Sequence, residues 1–192
     1  LETPQAIQVL DNELMTQAGA TDLTDALSLS AAVSRQNNFG GLWNSFAVRG
    51  FAGDGNLPSN FMVNGFNAGR GFGGSRDIAG IEAVEVLKGP SAALFGRGEP
   101  GGTVNLLTKR PTGIAAAQVG ISADDFGTVR TEADYSSGLI AERGAVRAVG
   151  FYEDGDSFRD TVSYKKYGFF PSALFRIADG TTLTYELEAS RQ

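Results

Sequence analysis

The chain has 192 residues, 42% hydrophobic and 20% charged, a composition that suits a folded protein and excludes a disordered one. Its net charge is −6 with the basic residues scattered, which argues against a nucleic-acid partner. It holds no histidine and no cysteine, so Ser–His–Asp and Cys–His nucleophile systems, histidine-ligated zinc or haem, and a disulfide scaffold are excluded within it.

Twenty-six glycines without a collagen-like period point to tight turns and close backbone approaches on a β-rich frame. No run reaches the roughly 18–20 apolar residues of a membrane-spanning helix, and no signal peptide opens the chain. Transmembrane strands hide in period-two patterns and stay open as a reading.

In chain order, Ile7-Gln8-Val9-Leu10 reads as a short strand and Asp11 as the N-cap of a helix through Leu14 and Met15, stopped at Gly19. A second helix starts at Thr21 or Asp22 with Leu23, Ala26 and Leu27 on one apolar stripe. Residues 45–50 and 60–65 read as strands ending at glycine turns, and residues 83–87 as another. Gly89-Pro90 leads into an expected one-turn helix over residues 91–95, and residues 103–108 close this part as a strand.

The character changes near Lys109-Arg110-Pro111-Thr112. Residues 128–135 alternate, with Val129, Thr131, Ala133 and Tyr135 opposed to Arg130, Glu132 and Asp134. Residues 182–190 do the same, with Leu183, Tyr185, Leu187 and Ala189 on one face. Both approach the roughly 9–11 residues of a tilted transmembrane strand. Residues 115–123 fit less well, and the runs 146–153 and 169–177 mix charged and apolar residues on one face. A soluble sheet with one wet face shares this alternation. Asp179-Gly180 reads as a tight hairpin turn and residues 154–166 as a longer polar connection, an asymmetry that suits a barrel.

Two segments, residues 69–74 and 96–101, satisfy GxGxxG. A dinucleotide site needs a helix opening on those glycines, and neither match has that context. Asp124-Asp125 and Asp154-Gly155-Asp156 have calcium-ligand chemistry, but ordinary loop acidity is the plainer reading. No metal site is assigned, and no constellation supports an enzyme.

A longer signal is an ordered set of segments: Pro4-Gln5-Ala6-Ile7, Val48-Arg49-Gly50-Phe51, Val63-Asn64-Gly65, the run from Ile81 to Pro90, Leu94-Phe95-Gly96, Pro100-Gly101-Gly102 and Thr108-Lys109-Arg110-Pro111. This set resembles the plug of TonB-dependent ferric-siderophore receptors along residues 1–111. The stretch from Tyr152 to Asp160 is similar to the early barrel of the same receptors. One departure is Asn64, where the family usually has aspartate before glycine.

The resemblance implies an α+β plug domain, residues 1–111, followed over residues 112–192 by about five antiparallel transmembrane β-strands of a roughly 22-stranded β-barrel. So few strands cannot close, so the chain is expected to be part of a longer protein. By the same resemblance it is a non-enzymatic receptor in the outer membrane of a Gram-negative bacterium, importing a ferric siderophore with energy from TonB. Its other partner is outer-membrane lipid. No cofactor is implied, because the siderophore's own oxygens carry the iron. Another metal chelate or a carbohydrate as cargo, and a soluble β-rich interaction module, are the alternatives.

The plug-apex positions that match cargo contacts in the family are Asn38, Trp43, Gly55, Asn56, Arg70 and Phe72. Aromatic faces pack a large chelate, and a cation attracts its negative charge. Arg49 and Lys88 match plug cations that pair with barrel carboxylates, with Glu82, Glu85 and Arg97 near them in sequence, as an ionic lock.

Overall fold

The computed structural model describes residues 6–37, 44–52, 61–68, 76–90, 100–125, 127–156 and 162–191. The chain divides into two compact units, Leu1–Thr108 and Lys109–Gln192.

The first unit contains β1 (Ala6–Asp11), α1 (Asn12–Gln17), α2 (Leu23–Ser28), β2 (Val33–Arg35), β3 (Phe46–Val48), β4 (Phe61–Val63), β5 (Phe66–Asn67), β6 (Ile81–Lys88) and β7 (Gly102–Thr108). Both helices open where an aspartate caps them. The Asp11 carboxylate accepts from Leu14 N at 2.8 Å, and that of Asp22 from Asp25 N at 2.9 Å. Six-residue helices do not persist alone, and burial of Met15, Leu23, Ala26 and Leu27 supplies what propensity cannot. The one-turn helix expected over residues 91–95 lies outside the described residues.

Among the described residues the main sheet runs β1-β6-β7-β4-β5, and β2 pairs with β3 separately. Every pairing is antiparallel except β4 with β7, which is parallel. Val84 and Val86 of β6, Val104 and Leu106 of β7 and Phe61 of β4 join the helix residues, Phe46 and Val48 in one core. Ile81 joins the same core although a pure period of two would turn it away from Val84. A register shift between Ile81 and Ala83 re-aims it and leaves Glu82 exposed.

The second unit is a meander of β8 (Ala116–Ala123), β9 (Val129–Ser136), β10 (Gly144–Asp156), β11 (Ser163–Ala178), β12 (Thr181–Glu186) and β13 (Ala189–Arg191). Its order is β12-β11-β10-β9-β8, with β13 also on β11. Glu186 faces Ser172 and Ala189 faces Phe169, so β12 and β13 hold one register and form a single line broken at Leu187 and Glu188.

The register sorts the side chains into two faces. One carries Val119 and Ile121 of β8, Val129, Ala133 and Tyr135 of β9, Tyr152 of β10, Tyr167, Phe169 and Phe175 of β11, and Leu183 and Tyr185 of β12. This apolar face is the exposed one: Val119 and Ile121 are each 77% accessible. The opposite face holds Arg130, Glu132, Asp134, Arg147, Glu153, Lys166 and Glu186, with Arg130 and Glu153 buried. Apolar out and charged in is the reverse of a soluble sheet and the rule for a barrel wall in lipid. From Tyr167 to Phe175 on β11 the outward positions are all apolar. At about 3.3 Å per residue and a tilt of about 40° they rise about 20 Å, most of an apolar band roughly 25 Å tall.

One expectation is corrected and one is explained. Much of residues 154–166 is strand rather than connection, because β10 runs to Asp156 and β11 starts at Ser163. The polar residues there are partnered across the ladder, Lys165 with Asp154 at 3.0 Å and Lys166 with Glu153 at 3.2 Å. The mixed face of residues 146–153 is also explained. Arg147, Val149, Phe151 and Glu153 share the charged face, and the Phe151 ring lies 4.5 Å from the Arg130 guanidinium.

Candidate functional site

The first unit gathers its motif residues around one turn. Val48 and Phe51 exchange two backbone hydrogen bonds of 3.0 Å, and the residues between them, Arg49 and Gly50, have φ of 51° and 83°. Two positive φ values are what a two-residue type I′ hairpin demands, and arginine is an uncommon occupant. Arg49 N donates to Ala32 O at 2.8 Å, and Gly89 N to Gly101 O at 3.0 Å. The first bond ties the turn to the residues before β2, and the second ties the end of β6 to the residue before β7, which lies against the turn. A Cβ on Gly101 would lie 2.0 Å from the Val48 carbonyl oxygen, and one on Gly102 2.2 Å from that of Leu87. Both neighbours are backbone, so the Pro-Gly-Gly motif records a close approach that no side chain fits.

At this node the Arg49 guanidinium sits beside Gly89, with Nη1 3.6 Å from where a Cβ would stand. Lys88 precedes Gly89 and faces Gly102 across the ladder. The structure therefore brings Arg49 and Lys88 to one place. Among the described residues of this unit, neither has a carboxylate partner. Glu82 stands at the far end of β6, about 20 Å along the strand at 3.3 Å per residue. Glu85 lies mid-strand and accepts from Asn105 Nδ2 at 2.8 Å. Arg97 lies outside the described residues, as do the six apex positions Asn38, Trp43, Gly55, Asn56, Arg70 and Phe72.

A second polar cluster braces the turn between β4 and β5. Asn64 and Gly65 have φ of 53° and 83°. The Asn64 amide donates to Thr108 Oγ1 at 2.8 Å and its oxygen accepts from Thr108 N at 3.1 Å. Gly65 N donates to Asn105 Oδ1 at 2.9 Å, which links the turn through Asn105 to Glu85. Asn64 thus works as donor and acceptor together, which a carboxylate cannot do. Sequence reasoning placed Thr108 in a motif but missed Asn105 and the bonds of both, whose partners are 20 to 44 residues away.

On the charged face of the second unit, Arg130 is 4% exposed and bonds Glu153 at 2.7 Å and Glu132 at 2.5 Å. Lys166 holds the other Glu153 oxygen. Each charge there is paired, which is the condition for burial.

Comparison with known proteins agrees with this geometry. A family profile described as TonB-dependent Receptor Plug Domain matches residues 1–103. The chain is 37% identical, over 99% of its length, to the metal-pseudopaline receptor CntO of Pseudomonas aeruginosa, and it is 33% identical, over 95%, to the ferripyoverdine receptor of the same species. It spans about a quarter of these relatives, 26% and 23% of their lengths. Among solved structures, the ferripyoverdine receptor of the Pseudomonas aeruginosa outer membrane bound to ferripyoverdine shares 28% identity at a TM-score of 0.85, over 98% of this chain and 25% of that one. A soluble interaction module is set aside by these matches. The chain belongs to the TonB-dependent outer-membrane receptors of Gram-negative bacteria, as a plug domain followed by strands of the barrel wall.

Proposed function

We propose that this chain gates the import of a ferric siderophore across the outer membrane, in a longer receptor energised through TonB. The observation that carries the reading is a plug-family domain running straight into a sheet whose exposed face is apolar and whose opposite face is charged. Relatives named as siderophore and metal-chelate receptors support the cargo class. No reaction is assigned: iron is cargo, held by the oxygens of its own chelator, and the chain's residues bind, block and release.

In this reading Asn38, Trp43, Gly55, Asn56, Arg70 and Phe72 meet the chelate, through aromatic packing and the positive charge of Arg70. Arg49 and Lys88 pair with carboxylates of the barrel and hold the plug in place. Such pairs add little net stability against apolar replacements but are costly to break on one side, which suits a lock released by a pull.

A second cargo has a specific observation behind it, since the 37% identical relative is named for a metal-pseudopaline complex. The deciding experiment is growth and radiolabelled metal uptake in a strain lacking the receptor, with and without TonB, on a panel of pure ferric siderophores and other metal chelates. Uptake of a ferric siderophore that needs both receptor and TonB is the expected result. Dependence on a non-iron chelate alone moves the assignment to that cargo, and dependence on none overturns it.

A further inference from the structure

The second unit begins with a dipeptide that is held on all sides. The Lys109 ammonium lies 3.0 Å from Asp134 Oδ2 of β9, with its side chain 9% exposed. Ser172 Oγ of β11 donates to the Lys109 carbonyl at 3.2 Å, and Arg147 Nη1 of β10 donates to the Arg110 carbonyl at 3.2 Å. Arg110 itself forms an ion pair with Glu186 of β12. Both side chains and both carbonyls of Lys109-Arg110 are therefore bound, by residues from four successive strands.

The register shows why these residues meet. Arg147 faces Ser172 and Ser172 faces Glu186, so the three form one row across β10, β11 and β12. Asp134 stands two residues from Ser136, which faces Arg147, on the same face of β9. Arg147 is the centre. Its Nε and Nη2 bind the two Asp134 oxygens at 2.9 and 2.8 Å while Nη1 takes the Arg110 carbonyl. A planar fork of five donors can do this, and a lysine cannot.

A connection that only had to span two units could leave its carbonyls to water. We infer that Lys109-Arg110, with Asp134, Arg147, Ser172 and Glu186, is a mechanical stop where load on the plug passes into the wall. Displacement or unfolding begun upstream ends at Thr108, and the residues leading to β8 stay seated. Load is shared among bonds to four strands, and no single strand is peeled from the sheet. The inference rests on the reading that the plug is pulled during import.

The test needs neither cargo nor TonB, so its failure is distinct from failure of that reading. The full-length receptor is fixed in a bilayer by its C-terminus and pulled from the N-terminus of the plug in magnetic tweezers. In the unaltered protein, extension should stop once the residues before Lys109 are released. In Arg147→Lys combined with Ser172→Ala, a further step should appear at unchanged force. It should correspond to residues 109–115, seven residues and about 25 Å of contour at 3.6 Å each. Ser172→Ala alone removes one small hydroxyl, should leave barrel assembly intact by heat-modifiable gel mobility, and should bring the same step in at a force under which residues 109–115 of the unaltered protein stay seated. Release of residues 109–115 together with the plug in the unaltered receptor overturns the inference. Identical extension and force in Ser172→Ala and the unaltered protein overturn it as well.

Discussion

Arg49 and Asn64 share one backbone shape, φ of 51° and 53° with a following glycine at 83° in both cases. They occupy it on different terms. Asparagine visits the left-handed region readily and here repays the position with two bonds to Thr108. Among the described residues Arg49 has no such local side-chain bond, and it carries a cost of about 1 kcal/mol for the conformation. A residue kept in an unfavourable conformation is evidence of a role outside the local fold. Arg49→Gly should therefore raise the local stability of the turn by up to about 1 kcal/mol while weakening closure of the pore. Hydrogen exchange of the Val48 and Phe51 amides in the full-length receptor checks the first half, because both amides bond across the turn. Faster exchange in the glycine variant would show that the Arg49 side chain supports the hairpin.

At the scale of elements, the two faces of the second sheet make a sharp prediction from neighbouring residues. Gln118 and Val119 sit side by side on β8, paired with Asp134 and Ala133 on opposite faces. Val119→Arg should cost the intact receptor about 2–4 kcal/mol if that position lies near the bilayer midplane, whereas Gln118→Arg, on the face of Asp134, should cost close to nothing. Urea unfolding of the two full-length variants in lipid vesicles compares them directly, and equal losses would reject the assignment of the apolar face to lipid. This face was readable in β9 and in residues 182–190, where the alternation is unbroken. It was not readable in β10 and β11. Val149 and Phe151 there share a face with Arg147 and Glu153, and only the cross-strand neighbours show which side that is. The same limit hid the far ends of these strands, since Asp154 and Lys165 look like loop residues until their pairing is seen. In the first unit the long glycine-bearing motifs made Arg49 and Lys88 candidates because those residues belong to the motif. Asn105, Asp134 and Arg147 belong to none. Their roles come from partners brought by the fold, 13 to 40 residues away in the cases of Arg147 with Asp134 and Asn105 with Gly65. The strands β2 and β5, three and two residues long, are too short to carry any period.

At the scale of the whole molecule, the proposal assigns Arg49 and Lys88, from the β3 turn and the end of β6, and the fastening at Lys109-Arg110 to opposite stages of one process. In the proposed mechanism the cations hold the plug before any pull, and the fastening bears the load once the pull has begun. Their failures should differ accordingly. Where a barrel carboxylate stands opposite such a cation, reversing the cation's sign replaces attraction with repulsion between like charges. Arg49→Glu in the complete receptor, and Arg49→Glu with Lys88→Glu still more, should let the pore leak at rest, with or without TonB. A lowered minimum inhibitory concentration of a large antibiotic normally held out by the outer membrane reports the leak, and chelate uptake should fall in the same cells. Arg147→Lys should instead exclude that antibiotic as the unaltered receptor does when TonB is absent, and leak only when TonB is present and cargo is supplied. Unchanged exclusion and uptake in the Arg49 and Lys88 reversals would remove the lock from the mechanism. A leak in Arg147→Lys without TonB would mean that the fastening also holds the plug at rest, and the two stages would collapse into one.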